Sequence, residues 1–83
     1  MKNYVVVDSS VLIATLNSKD SFHTEAAFIF NETIKSPNVY IIIPPIIIYE
    51  VITTLIRVGL TYTKVQNSIM KLVRMDKVII LSI

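Results

Sequence analysis

The sequence predicts an α/β fold of three layers, in which a parallel sheet of three strands is flanked by about four helices. Three short runs of mostly β-branched and aliphatic residues, at 3–7, 39–43 and 77–81, alternate with longer segments that have the period of amphipathic helices. The runs are nearly continuous in apolar residues, as in strands that are covered on both faces. Strands separated by helices pair in parallel through right-handed crossovers.

The first crossover is predicted to contain two helices. A turn or two of helix is expected over residues 11–16, and a longer helix over residues 22–34. Asp20 or Ser21 is the expected N-cap of the longer helix, because short polar side chains accept hydrogen bonds from the free N–H groups there. Pro37 ends it, since proline cannot continue a helix.

The second crossover also has two predicted helices. The first covers residues 46–58 and stops at Gly59, which is the residue type that most often follows a helix. Thr63 and Gln66 have the spacing of a capping box at the start of the second. The side chains expected to form the buried stripe of that last helix are Val65, Ile69, Leu72 and Val73.

Composition limits the class of protein. The 83 residues are 53% hydrophobic with a single glycine, which indicates one small globular domain and excludes a glycine-rich phosphate loop. The lack of cysteine excludes disulfides and thiolate metal sites. A net charge of +2 permits contact with nucleic acid without arguing for it. With no signal-peptide pattern, and with Pro44, Pro45 and Glu50 interrupting the most apolar stretch, we expect a cytoplasmic protein without membrane spans.

Asp8 is the first candidate site residue. It directly follows the first predicted strand, and ligands of open α/β sheets bind outside the carboxyl ends of the strands. The alternative is that Asp8, Ser9 or Ser10 simply caps the helix that follows. The residues by themselves do not choose between a ligand and a cap.

Glu50 is the second candidate. It lies about one turn into the helix that follows the second strand, so we expect it near Asp8 at the carboxyl edge of the sheet. Two converging carboxylates form an oxygen-rich site suited to a hard cation such as Mg²⁺ or Mn²⁺. The alternative is a solvated polar stripe that Glu50 shares with Thr54 and Arg57.

Three motifs follow one another along the chain. They are Asp8-Ser-Ser-Val-Leu-Ile after the first strand, Asp20-Ser-Phe-His23-Thr-Glu-Ala26 at the start of a helix, and a proline pair followed by Glu50 after the second strand. In this order they resemble the PIN domain family, and most closely the small prokaryotic type that includes the VapC toxins. The resemblance extends over essentially the whole chain.

The resemblance implies a metal-dependent endoribonuclease. Asp8 and Glu50 match the family's first two acidic metal ligands and catalytic residues, and Ser10 matches the small polar residue that supports them. Mg²⁺ or Mn²⁺ is the implied cofactor, RNA the implied substrate, and an antitoxin-like protein the implied partner. His23 is expected to have a structural role, because no metal-binding residue is spaced with it.

The chain departs from the family pattern towards its C-terminal end. PIN domains have a third acidic residue after the third strand and usually a fourth after the fourth strand, whereas this sequence ends at Ile83. Asp76 precedes the third strand, so it lies at the opposite end. We therefore expect a single PIN-like domain over residues 1–83 that is incomplete at its C-terminus. With two carboxylates, it should bind one cation weakly and cleave poorly as an isolated monomer.

The same incompleteness predicts a second functional class. An unpaired apolar first strand can be covered by pairing with another chain. On this hypothesis the protein is a catalytically inactive homo-oligomer or a module that binds a protein partner.

Basic residues on the last helix are candidate contacts for nucleic acid. Lys64, Lys71 and Arg74 fall close together on its outer face. The alternative is that these charges only keep an exposed helix solvated, which is their usual role.

Overall fold

The computed structural model describes residues 1–81 and has the predicted α/β class. The elements in chain order are β1 (Asn3–Val6), α1 (Ser9–Leu16), α2 (His23–Lys35), β2 (Val39–Ile43), α3 (Pro45–Arg57), α4 (Tyr62–Val73) and β3 (Val78–Ile80). The strands form one parallel sheet in the order β1-β2-β3. The predicted parallel sheet and its four helices are confirmed, and the arrangement is compatible with a three-layer α/β fold, of which residues 1–81 form the sheet and one helical layer.

The helices pack on one face of the sheet and share one core with it. Both crossovers step in the same direction across the sheet, and right-handed crossovers in one direction leave their helices on the same side. The buried side chains of this core come from all four helices and from one face of β2 and β3: Leu12, Phe30, Ile41, Ile43, Val51, Leu55, Val65, Leu72 and Val78.

The other face of the sheet is apolar and open to solvent. Tyr4 is 55% exposed and Val6 65% exposed, next to the half-buried Tyr40 and Ile42, and Ile79 continues this row on β3. Within residues 1–81, the helices therefore cover only one of the two faces that the apolar runs led us to expect to be buried. This open face and the outer edge of β1 are the largest unusual features of the surface.

Gly59 follows the end of α3, as the sequence predicts. Gly59 has a φ of +106°, and its N–H donates to the carbonyl oxygen of Ile56 at 3.0 Å. The N–H of Leu60 donates to the carbonyl oxygen of Leu55 at 3.0 Å. These two bonds form a Schellman motif, which satisfies the last carbonyl groups of the helix and needs a residue that tolerates a positive φ.

The start of α4 differs from the prediction. The helix begins at Tyr62, and Thr61 is its N-cap, with the Thr61 Oγ1 accepting the backbone N–H of Lys64 at 3.2 Å. The capping box predicted from Thr63 and Gln66 is wrong, because Thr63 already lies within the first turn. Two threonines two residues apart offer the same local chemistry, and the position of the turn after Gly59 decides between them.

Neither Asp20 nor Ser21 is the N-cap of α2. Phe22 occupies the N-cap position without a side-chain hydrogen bond. Asp20 acts one turn earlier, since its Oδ1 accepts the N–H of Phe22 at 2.9 Å and its carbonyl oxygen accepts the N–H of His23 at 3.0 Å. The carboxylate therefore closes the turn that leads into the helix.

The apolar stretch around β2 and α3 was the one segment in which a membrane span had to be considered. Among residues 1–81, no helix has the length and apolar character needed to cross a membrane.

We expect the two faces of α3 to respond differently to truncation. Leu55 is 0% exposed, so Leu55→Ala should lower the free energy of unfolding by about 2–5 kcal/mol through lost burial and a cavity. Ile46, in the same helix but 62% exposed, is the matched control, and Ile46→Ala should change it by less than about 0.5 kcal/mol. Urea unfolding followed by circular dichroism measures both. Equal losses in the two variants would contradict the assigned core face.

Candidate metal centre

Asp8 stands at the junction of β1 and α1, at the carboxyl edge of the sheet. It is the N-cap of α1, in an extended conformation with φ −68° and ψ 148°, and its Oδ1 accepts the backbone N–H of Ser10 at 3.4 Å. The two interpretations of Asp8 are therefore compatible. The same carboxylate caps the helix and is exposed at the strand end, where a ligand can reach it.

Ser10 holds the Asp8 carboxylate at a second point. Its hydroxyl donates to Asp8 Oδ2 at 3.2 Å, while its backbone N–H faces Asp8 Oδ1. One residue thus contacts both carboxylate oxygens and restricts the rotation of the group. The N-terminus of α1 also favours a negative charge at this position. The structure places Ser10 against the residue that it is expected to support.

The Ser9 hydroxyl lies between Asp8 and Glu50. The Ser9 Oγ lies 3.4 Å from Asp8 Oδ1 and 3.4 Å from Glu50 Oε2, on a helix 41 residues further along the chain. A hydroxyl has one proton, so Ser9 donates to one carboxylate at a time and the two carboxylates share this donor. The two acidic residues singled out in the sequence therefore face one serine side chain.

The contact between Ser9 and Glu50 was not predicted from the sequence. Ser9 was considered only as an alternative N-cap. No local spacing indicates that the first residue of α1 reaches α3, because this depends on how the two helices pack. Its position next to Asp8 was the one available signal.

Thr54 and Arg57 form the predicted polar stripe on α3, but the Glu50 side chain contacts a residue of another helix. Arg57 Nη2 donates to Thr54 Oγ1 at 3.1 Å, within the stripe. The hydrogen bond of the Glu50 side chain crosses to Ser9 of α1. The alternative of a solvated polar stripe therefore holds for Thr54 and Arg57. Glu50 instead faces the carboxyl edge of the sheet.

The side chains at this edge supply oxygen atoms, the type of ligand that a hard cation such as Mg²⁺ uses. Asp8 and Glu50 are exposed carboxylates, and all the side-chain donors are oxygens. Mg²⁺ commonly uses one or two carboxylates and completes its shell with water and substrate phosphate. Within residues 1–81, no group of three or more His, Asp or Glu side chains is placed to hold a metal ion. Asp76 precedes β3 at the amino edge of the sheet and does not join the pair.

His23 links two helices. Its Nδ1 lies 2.8 Å from the carbonyl oxygen of Ala14, which ties the start of α2 to α1 in a half-buried position. Ala26, one turn later, is buried. The segment from Asp20 to Ala26 is thus occupied with turn formation and packing, as expected for a structural motif.

Lys64, one of the three basic residues predicted to contact nucleic acid, lies away from the acidic pair. Lys64, Lys71 and Arg74 are all exposed. Lys64 lines a surface cleft together with Lys19, at the C-terminal end of α1. Asp8 is at the other end of this eight-residue helix, which is about 12 Å long. Lys19 was not predicted to join these residues, because it lies in a turn far from Lys64 in the chain.

Mutation can separate the capping role of Asp8 from the effect of its negative charge. Asp8→Ala removes a long cap hydrogen bond and should lower the free energy of unfolding by about 0.5–1 kcal/mol, whereas asparagine caps as well as aspartate does. In a urea unfolding curve, Asp8→Asn should therefore lose less stability than Asp8→Ala, because it keeps the cap and removes only the charge that the helix N-terminus favours. If Asp8→Asn is as destabilised as Asp8→Ala, the charge rather than the cap stabilises α1.

In comparisons with known proteins, no family model, no curated protein and no solved structure matches the chain.

Proposed function

We propose that this chain is a PIN-like domain of the VapC type that binds Mg²⁺ or Mn²⁺ at Asp8 and Glu50 and cleaves RNA weakly. The observation that supports the proposal is the Ser9 hydroxyl, which lies 3.4 Å from an oxygen of each carboxylate. These are the two residues to which the resemblance assigns the first acidic ligands. They are 42 positions apart in the sequence, and yet they lie on either side of one hydroxyl group.

The chemistry at such a site divides between the cation and the chain. A divalent cation neutralises the charge that builds up on a phosphodiester during cleavage. Asp8 and Glu50 hold the cation, and Ser10 keeps the Asp8 carboxylate in one orientation through two contacts. Because two carboxylates leave most of the coordination shell to water and phosphate, we expect weak binding and slow cleavage.

RNA would be held by the basic surface of α4. Lys64 and Lys19 line one cleft, and Lys71 lines the next one along the helix. Lysine and arginine side chains bind the phosphate backbone without reading its sequence, and this binding weakens as the salt concentration rises. In this proposal α1 separates the basic clefts from the acidic pair, so the RNA strand would have to pass along this helix.

Cleavage of a labelled RNA panel tests the proposal. We expect slow cleavage with Mg²⁺ or Mn²⁺, none with a chelator, and loss of cleavage in both Asp8→Asn and Glu50→Gln, since each removes one of two charged ligands. Glu32→Gln is the matched control, because Glu32 is an exposed carboxylate on α2. Cleavage that survives Asp8→Asn would assign the activity to other residues or to a contaminant.

Metal binding tests the contact made by Ser9. We expect Ser9→Ala to weaken Mn²⁺ binding by about tenfold, the lower end of the effect of removing a group that orients a ligand. Titration followed by electron paramagnetic resonance gives the affinity without any need for activity. Ser21→Ala, at an exposed serine in a turn, is the control. An unchanged affinity in Ser9→Ala would mean that Ser9 does not organise the two carboxylates.

A second candidate function is supported by the exposed sheet. Tyr4 and Val6 leave an apolar strand open at the surface, and a site with two carboxylates alone suits a protein that has no catalytic activity. In this case the chain would be an oligomeric or partner-binding module, with an antitoxin-like protein as the heterologous partner. A well-folded sample that cleaves no RNA under any metal condition would favour this function over the first.

A further inference from the structure

The helices α1 and α3 lie side by side and run in the same direction. Near their starts, the Ser9 hydroxyl of α1 lies 3.4 Å from Glu50 Oε2 of α3. At their far ends, Leu16 and Val58 line the same surface cleft. The boundary between the two helices, which we call the α1–α3 seam, therefore leads from the acidic pair to the cleft that contains Lys19.

Arg57 lies on α3 between the two ends of this seam. Glu50, Thr54 and Arg57 are spaced by four and three residues, which places them on one face of the helix. Arg57 follows Glu50 at a distance of about 10.5 Å along the helix axis. It directly precedes Val58, which lines the cleft. A positive charge thus lies between the carboxylates and the lysines of the cleft.

The guanidinium group of Arg57 is held on the side of α3 that leads towards Glu50. Its Nη2 donates to Thr54 Oγ1 at 3.1 Å, one helical turn closer to Glu50 than Arg57 itself. A guanidinium group has five N–H donors in one plane, and this bond uses one of them. Because Arg57 is exposed, a ligand in solution can reach the other donors. The bond to Thr54 restricts the direction in which they point.

We propose that Arg57 binds a phosphate group of the RNA strand and directs the strand along the α1–α3 seam, from the acidic pair to the cleft of Lys19 and Lys64. This inference rests on the proposed function, because it takes RNA as the ligand. Arginine suits the role, since its planar fork matches the oxygen atoms of a phosphate. A stacked strand rises about 3.4 Å per nucleotide, so the distance of about 10.5 Å between Glu50 and Arg57 corresponds to about three nucleotides.

The order of charges along the seam fits an RNA strand at a metal site. Asp8 and Glu50 repel a phosphate unless a cation lies between them and the strand. Among residues 1–81, the charged side chains that line the cleft are those of Lys19 and Lys64, and both are basic. The strand would therefore meet the carboxylates only through the cation, and Arg57 and the two lysines would hold the phosphates that follow.

RNA binding at several salt concentrations tests the contact, with fluorescence anisotropy of a labelled oligonucleotide as the readout and a chelator in every sample. Each phosphate contact of a single strand adds about 0.7 to the slope of log affinity against log salt concentration. Arg57→Gln should therefore lower this slope by about 0.7 and the affinity at about 0.1 M salt by about fivefold. Arg57→Lys keeps the charge and should retain the slope.

Lys35→Gln is the charge-matched control, because Lys35 is exposed at the end of α2, at the amino edge of the sheet. Circular dichroism checks that each variant remains folded. Cleavage kinetics give a second readout. Because Arg57 contacts a phosphate away from the cation, Arg57→Gln should raise KM by about fivefold and leave kcat within about twofold of the parent value.

The outcomes separate this inference from the proposed function. Equal slopes in Arg57→Gln and Lys35→Gln would overturn the role of Arg57, and the proposed function would stand if the parent chain still cleaves RNA. A parent chain that binds RNA through Arg57 and cleaves none with Mg²⁺ or Mn²⁺ would overturn the proposed cleavage and support the contact. A parent chain that binds no RNA would overturn both.

Discussion

The packing of α1 against α3 is the interaction on which the candidate site depends. Leu12 lies three residues after Ser9, Val51 directly follows Glu50, and both are 0% exposed in one shared core. Burying an aliphatic side chain contributes about 1.5–3 kcal/mol, whereas a hydrogen bond contributes about 1 kcal/mol and less when it is long and exposed. The apolar contact therefore positions the helices, and the 3.4 Å contacts of Ser9 with the two carboxylates follow from it.

The open face of the sheet follows from the direction of the crossovers. Both helical pairs lie on the face of the sheet that carries Ile41 and Ile43. The side chains on the other face, such as those of Tyr4 and Val6, therefore remain at the surface. At the amino end of this face, Lys2 and Lys77 lie over the Tyr40 ring, with their Nζ atoms 5.1 and 5.5 Å from its centroid. The lysines cover part of the aromatic surface, and within residues 1–81 no lysine covers the region towards the β1 edge in this way.

Asp8 takes part in three local features of the structure. It caps α1, it shares Ser9 with Glu50, and it lies two residues after β1, the strand at one edge of the sheet formed by residues 1–81. One position has these roles because a parallel strand, a helix N-terminus and the sheet edge meet where β1 ends. The cap depends only on local geometry, so it is retained whatever binds at the edge.

The sequence by itself determined the order and type of the elements, the parallel pairing, and the identity of Asp8 and Glu50 as the acidic pair. Apolar periodicity and strand-end chemistry are local signals, and Gly59 is the best example, because a positive φ is a property of one residue. Only the tertiary structure decided that the helices cover a single face, that Ser9 reaches Glu50, and that Lys19 joins Lys64 in one cleft. These features depend on contacts between residues far apart in the chain, and the relative placement of packed elements, rather than any local pattern, determines them.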